Sequence, residues 1–194
     1  MTSAVAFISA IVVLLAVPGP TNSLLFLSGA DRGFRKSLRL LIGESAGYLA
    51  VIVPIAVFAA PYLNEHPAAS STLKLAAASW IMFLAVKLWR RPPAAPGTSS
   101  VTIGGIFVTT LLNPKALIIG LTIMPTGSIM QIAPWLALFL VLLSLIAMCW
   151  VGAGSAAVMA ARGRFDPARL LARTAAVLLA GFSLYMTSAV AGLA

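Results

Sequence analysis

The chain has 194 residues, of which 61% are hydrophobic and only 9% charged, and its mean hydropathy is +1.05. Thirteen Lys/Arg and four Asp/Glu, a net charge of +9, are too few to cover the surface of a soluble 20.1 kDa globule, where roughly 25% of residues would be charged. Six membrane-spanning helices of about 20 residues each would use about 120 residues. The remainder supplies short loops and termini, with no room for a separate nucleotide-binding or extramembrane catalytic domain. The sequence reads as one all-α integral membrane domain.

In chain order, apolar runs and their breaks predict six spans. The first covers residues 4–29 and is interrupted by Pro18-Gly19-Pro20; with no basic segment ahead of it, it reads as a retained span rather than a cleaved leader. The second covers 38–60, from Arg39 to Pro61, and the third 70–89, with Lys74 and Lys87 near its ends. The fourth covers 101–124 and is interrupted by Asn113-Pro114-Lys115. Pro125-Thr126-Gly127-Ser128 and Pro134 predict a tight turn before the fifth span at 133–157, and the sixth covers 170–192.

The charges cluster between spans. Loop 1 holds Asp31, Arg32, Arg35, Lys36 and Arg39; loop 3 holds Arg90 and Arg91 in a Pro-rich linker at 90–100; loop 5 holds Arg162, Arg164, Asp166 and Arg169, with Arg173 just after. Loop 2 carries only Glu65 and His66, and loop 4 no charge. The positive-inside rule then places loops 1, 3 and 5 in the cytoplasm and both termini outside, in a cell membrane. This pattern explains the basic balance without a nucleic-acid partner, for which no aromatic-interleaved basic face exists. A single Cys (Cys149) and a single His (His66) allow no internal disulfide and exclude the usual zinc or copper site. No cofactor is expected.

The two Pro-broken points lie about 95 positions apart, close to half the chain, and the same offset carries spans 2 and 3 onto spans 5 and 6. With three spans per half, the second half must enter the membrane from the opposite side. The expectation is two inverted three-helix repeats, about 1–90 and 101–194, with a small-solute site at the paired broken helices.

Three constellations carry that site. In Pro18-Gly19-Pro20-Thr21-Asn22, two prolines remove two backbone donors in mid-span. Irregular backbone at that depth is tolerated only where protein or a water-filled cavity satisfies it, and Thr21, Asn22 and Ser23 add polar groups at the same level. Asn113-Pro114-Lys115 is its mate in span 4, about 15–21 Å from the span's start at 1.5 Å per residue. A lysine there is costly to insert and functional by default; the competing reading has it snorkelling to a headgroup. Glu44, the only carboxylate within an apolar run, lies about two turns into span 2, with Tyr48 one turn further on the same face. Glu44 is read as the group that binds a substrate ammonium or carries a coupling proton, with a structural ion pair to Lys115 as the alternative. Lys115 and the breaks at Pro18, Gly19, Pro20 and Pro114 would face a carboxylate, with Asn22, Thr21, Asn113 and Tyr48 as further contacts.

Other patterns carry less. Gly43 and Gly47 form a Gly-x-x-x-Gly spacing that permits close helix approach. Gly152-x-Gly154-x-x-Ala157 mimics a dinucleotide fingerprint, but it ends an apolar span and no strand precedes it. No Ser/His, paired-Asp or metal constellation supports an intramembrane enzyme.

Pro18-Gly19-Pro20-Thr21-Asn22, Gly29-Ala30-Asp31-Arg32-Gly33 with Arg35-Lys36, and Leu111-Leu112-Asn113-Pro114-Lys115-Ala116 together resemble the signatures of the lysine exporter (LysE/RhtB) family. The likeness covers the whole chain in length, span number and motif spacing. It implies export of amino acids or related small solutes, driven by a proton gradient or the membrane potential, by a homodimer. Two departures stand out. Many members place Asn directly after the second Pro, where this chain has Thr21, and carry an Asp where this chain has Tyr48, its acid being Glu44 one turn earlier. A channel-like or cation-efflux protein is the rival function, which the shortage of His, Cys and acids disfavours for metals.

Overall fold

The computed structural model describes residues 3–90 and 101–160, together with nine positions between Arg173 and Ser188. The Pro-rich linker, the loop holding Arg162, Arg164, Asp166 and Arg169, and most of the predicted sixth span lie outside the described residues. Everything regular among those described is helical.

The first predicted span is two helices, α1 (Ala4–Ala16) and α2 (Pro20–Arg32), bent by 62°. Ser3 caps α1 by accepting from the Ala6 N–H at 3.1 Å. Pro20 opens α2 at a position where its missing N–H costs nothing. The α2 helix runs through Asp31 and Arg32, which the sequence reading gave to a loop. It stops at Gly33, whose φ of 78° favours glycine. A short α3 (Phe34–Ser37) leads into α4 (Leu40–Pro54), which continues as a π-helical turn, Ile55–Ala59, and then α5 (Ala60–Glu65). Pro54 removes one donor from the ladder, and the wider turn directly after it absorbs the irregularity. The helix α6 (Pro67–Trp89) follows with only His66 between, so predicted loop 2 is a corner.

The fourth predicted span is also two helices, α7 (Ile103–Leu111) and α8 (Pro114–Ile118), the second extended by a π-helical turn, Ile119–Ile123; the bend is 52°. The last long element, α9 (Ile129–Ala160), starts four residues earlier than predicted. Pro134 therefore does not mark the turn; it lies inside α9. It is the sixth residue of the helix, and the donor it lacks would have paired the carbonyl of Met130, an exposed residue in the first turn. The turn itself sits at 125–128, closed by Ser128 N–H donating to Gln131 Oε1 at 2.9 Å.

Two unbroken stretches, Phe34–Ala59 and Ile129–Ala157, are long and apolar enough to cross a membrane, and each bent pair passes the same test if taken as one span. The described residues thus hold two to four membrane spans. Large apolar side chains point outward all along them, with Val5, Phe58 and Met130 more than 70% exposed. Apolar exposure on this scale suits lipid rather than water.

In lipid, helices associate by close packing rather than by hydrophobic burial, and glycines set the approach here. A Cβ at Gly29 would stand 2.1 Å from the Val151 carbonyl oxygen, and one at Gly154 only 1.9 Å from that of Phe26, so α2 and α9 touch backbone to backbone. Ser155 Oγ adds a bond to the Gly29 carbonyl at 2.9 Å. The Gly-x-Gly pattern at 152–154 is thus part of a helix crossing. Gly43 and Gly47 bring α4 equally close to α7, where added Cβ atoms would meet the Ile103 carbonyl oxygen at 2.4 Å and Thr110 Cβ at 2.7 Å. This Gly-x-x-x-Gly face is spent within the chain.

Two apolar clusters make up the interior around these crossings. One joins Phe7, Ile11 and Leu15 of α1 to Tyr48 and Ile52 of α4, Ala116 of α8, and Ile132, Leu136, Phe139 and Leu143 of α9. The other joins Leu25 of α2, Leu40 of α4, Val101, Ile106 of α7, and Ala147 and Val151 of α9. Arg32 secures the second by donating to the Val101 carbonyl at 2.9 Å.

Candidate functional site

Along every helix that contributes, the polar residues fall between those two clusters. Thr21 and Asn22 lie between Leu15 and Leu25, Glu44 between Leu40 and Tyr48, and Thr110 and Asn113 between Ile106 and Ala116. A polar layer is therefore enclosed by apolar layers above and below. Thr21, Asn22, Glu44, Thr110, Asn113 and Lys115 are all at most 5% exposed. Burying this many polar groups is costly unless they are hydrogen-bonded, and most of them are.

The bonds run between the two breaks. In a continuous first span, the carbonyls of Leu14 and Ala16 would have been paired by residues 18 and 20, which are prolines and have no N–H. Asn22 takes the neighbouring carbonyls of the break instead, its Nδ2 donating to those of Leu15 at 2.8 Å and Val17 at 2.9 Å. Lys115 reaches across from the other half, and its Nζ also donates to the Val17 carbonyl. In the second break Asn113 caps its own helix, with Oδ1 accepting from the Lys115 N–H at 3.1 Å. Its Nδ2 donates to Thr21 Oγ1 at 3.1 Å, and Thr21 Oγ1 shares a further hydrogen bond with Thr110 Oγ1 at 3.2 Å. Three side chains thus tie the first break to the second.

Glu44 completes the layer differently. Its Oε2 is fully buried and has no hydrogen-bond partner among the described residues. Lys115 and Glu44 stand on helices that pack together, α8 and α4, but they form no ion pair; the lysine is bonded to the Val17 carbonyl instead. The alternative of a structural Glu44–Lys115 salt bridge is thereby set aside, and so is snorkelling, since Lys115 is 1% exposed. Tyr48 stands beside Glu44 but turns its ring edge-on to Phe139, centroids 5.5 Å apart, as a member of the apolar cluster. It forms the wall of the layer rather than part of its hydrogen-bond network.

Of the residues singled out in the sequence, Thr21, Asn22, Asn113 and Lys115 meet in one network, with Glu44 at its side. Pro18, Gly19, Pro20 and Pro114 form the breaks themselves. Thr110 and the Val17 carbonyl were not anticipated. Thr110 is one of two adjacent threonines in an apolar run, a weak signal, whereas a backbone carbonyl leaves no mark on a sequence. Among the described residues, no three His, Cys, Asp or Glu side chains are grouped to hold a metal ion.

Broken membrane helices that enclose a buried, hydrogen-bonded polar layer define a polytopic membrane protein of the transporter class. Comparison with known proteins supplies the family. The chain is 32% identical over 145 residues to the cysteine/O-acetylserine efflux proteins of Escherichia coli strain K12, Escherichia coli O1:K1 and Shigella flexneri serotype 5b; each match covers 71% of this chain and 74% of the relative. The chain belongs to the LysE/RhtB family of amino-acid efflux proteins. No family profile matches it, and no solved structure does.

Proposed function

We propose that this protein is a secondary-active exporter of amino acids or amino-acid-like small solutes, driven by a proton gradient or the membrane potential. The carrying observation is the enclosed layer, in which a carboxylate without a partner and a lysine stand at the meeting point of two helix breaks. An α-amino acid presents the complementary charges, an ammonium for Glu44 and a carboxylate for Lys115. Thr21, Asn22 and Asn113 then hold the breaks in register, and Tyr48 closes the layer. The names of the relatives point to cysteine or O-acetylserine, or a solute of that size, as cargo.

In this reading the chain has six spans arranged as two inverted repeats, functions as a homodimer, and has no enzymatic activity. The similar bends of 62° and 52° support the repeat, as does the proline that opens the second half of each broken span. So does the exchange of partners, in which the break of the first half packs on α9 and that of the second half on α4. Loops 1, 3 and 5 are cytoplasmic; a reporter fused after Ala194 and found in the cytoplasm would contradict that orientation.

The test is to express wild type and Glu44→Gln at matched membrane levels in bacteria and quantify the amino acids and amines in the medium. One solute enriched by wild type alone supports the exporter and the role of Glu44. Enrichment by both keeps export but removes Glu44 from it. Enrichment by neither, across amino acids and amines, contradicts the proposal.

A further inference from the structure

We propose that Lys115 occupies, in the empty protein, the place a substrate's own ammonium takes, and that position 19 is glycine to give that lysine its seat. The inference rests on the exporter reading and narrows its substrate class to solutes carrying both an ammonium and a carboxylate.

The starting point is an imbalance. Lys115 and Glu44 stand in the same buried layer on helices that pack together, yet the lysine Nζ is bonded to a backbone carbonyl, that of Val17, while Glu44 Oε2 has no hydrogen-bond partner among the described residues. A charge-assisted bond to carboxylate would be the stronger one. The layer thus holds a lysine nitrogen already seated on the first break and a carboxyl oxygen left open. A zwitterion resolves the mismatch. Its ammonium displaces Lys115 from the Val17 carbonyl and fills the open valence of Glu44, and its carboxylate receives the displaced lysine. A plain amine offers Lys115 no new partner and would strand a buried charge, at high cost. A plain carboxylate leaves Glu44 unpaired and adds a second anion.

Gly19 provides the independent support. Its backbone is extended, with φ −158° and ψ 176°, a conformation any residue adopts, so glycine is not needed there for the chain's own geometry. A Cβ added at Gly19 would meet Lys115, 3.2 Å from Cε and 3.3 Å from Nζ, and among the described residues nothing else beyond its sequence neighbours within 4 Å. The rest of Lys115 cannot retreat easily, since the residue is buried and its backbone N–H is held by Asn113. The missing side chain at 19 leaves room for one thing, the end of Lys115.

The experiment is a double-mutant cycle on the purified full-length protein, read by thermal unfolding of the empty protein, beside equilibrium binding of radiolabelled L-cysteine under reducing conditions and of cysteamine, the analogue lacking the carboxylate. Wild type is expected to bind L-cysteine and to ignore cysteamine. Gly19→Val crowds Lys115 in its seat and should lower the unfolding temperature of the empty protein, while in a Lys115→Ala background the same change should have less than about half that effect, since contacting residues couple and independent ones add. Lys115→Ala should gain cysteamine binding as it loses L-cysteine, because an ammonium place has been vacated. Equal effects of Gly19→Val in both backgrounds, no effect in wild type, or cysteamine binding to wild type as tight as L-cysteine would each overturn the inference. If Gly19→Val does not yield monodisperse protein, Lys115→Ala should restore it; failure to restore it contradicts the inference. Wild type that is folded and binds no amino acid overturns the exporter reading itself, a distinguishable result.

Discussion

The two helix breaks are built from similar residues and solve the same problem in opposite ways. At the second break a single proline, Pro114, is accommodated locally. Asn113 N–H takes the Thr110 carbonyl at 3.0 Å, Ala116 N–H takes the Asn113 carbonyl at 3.0 Å, and the Asn113 side chain caps Lys115. At the first break two prolines remove two donors, and Gly19 at the head of α2 has no side chain with which to cap. Carbonyls there are left to Asn22 and to a lysine 98 positions away. One break is self-sufficient and delivers a charged side chain; the other is deficient and receives it. An incomplete break is an acceptor site, because any backbone group in a membrane interior must find a partner.

That contrast can be broken by mutation. The largest effect should be functional: Glu44→Gln keeps the shape but removes the charge that has no internal partner, and export should fall by roughly 10- to 100-fold, the loss of one charged hydrogen bond at about 1.5–3 kcal/mol. Membrane insertion, checked by immunoblot of the membrane fraction, should be unchanged. Next in size, Asn22→Ala strips the deficient break of its main repair and leaves the Leu15 carbonyl unpaired, which should destabilise the protein by about 2–3 kcal/mol in denaturant titrations of the detergent-solubilised form. Asn113→Ala, at the self-sufficient break, loses a cap and the link to Thr21 and should cost less, about 1–2 kcal/mol in the same titration. If Asn113→Ala costs more than Asn22→Ala, the asymmetry between the breaks is wrong. The smallest effect belongs to Thr110→Val, under about 1 kcal/mol, since Thr21 keeps its bond from Asn113.

What could be read in the sequence divides along the same physical line. Proline removes a donor wherever it stands, so the break points were legible from Pro18, Pro20 and Pro114 alone. A charge within an apolar run is likewise conspicuous by itself, which is how Glu44 and Lys115 came to notice. What one residue does to a distant one was not legible. Opposite charges suggested a Glu44–Lys115 pair, but the register between the two halves places the lysine on Val17 instead. The glycines were noted as spacings, yet whether Gly43 and Gly47 faced a partner chain or α7, and whether Gly154 meant anything, depended on which helices cross. Pro134 reads as a turn because proline is disfavoured inside a helix, yet α9 starts at Ile129 and runs through it. Tyr48 shared a face with Glu44 as expected, but its ring belongs with Phe139.

The enclosure of the layer follows from the same register. Each contributing helix passes from one apolar cluster through the polar residues into the other, so the described residues close the layer at both ends. In the proposed exporter, release of a solute requires one cluster to part while the other stays packed.

The most direct measurement is solute counterflow in proteoliposomes loaded with unlabelled L-cysteine under reducing conditions and diluted into trace radiolabelled L-cysteine, with wild type compared against Glu44→Gln. Transient accumulation of label by wild type, absent in Glu44→Gln and in empty liposomes, is the predicted result. Accumulation that persists undiminished in Glu44→Gln would show that the unpartnered carboxylate between the two breaks does not handle the solute.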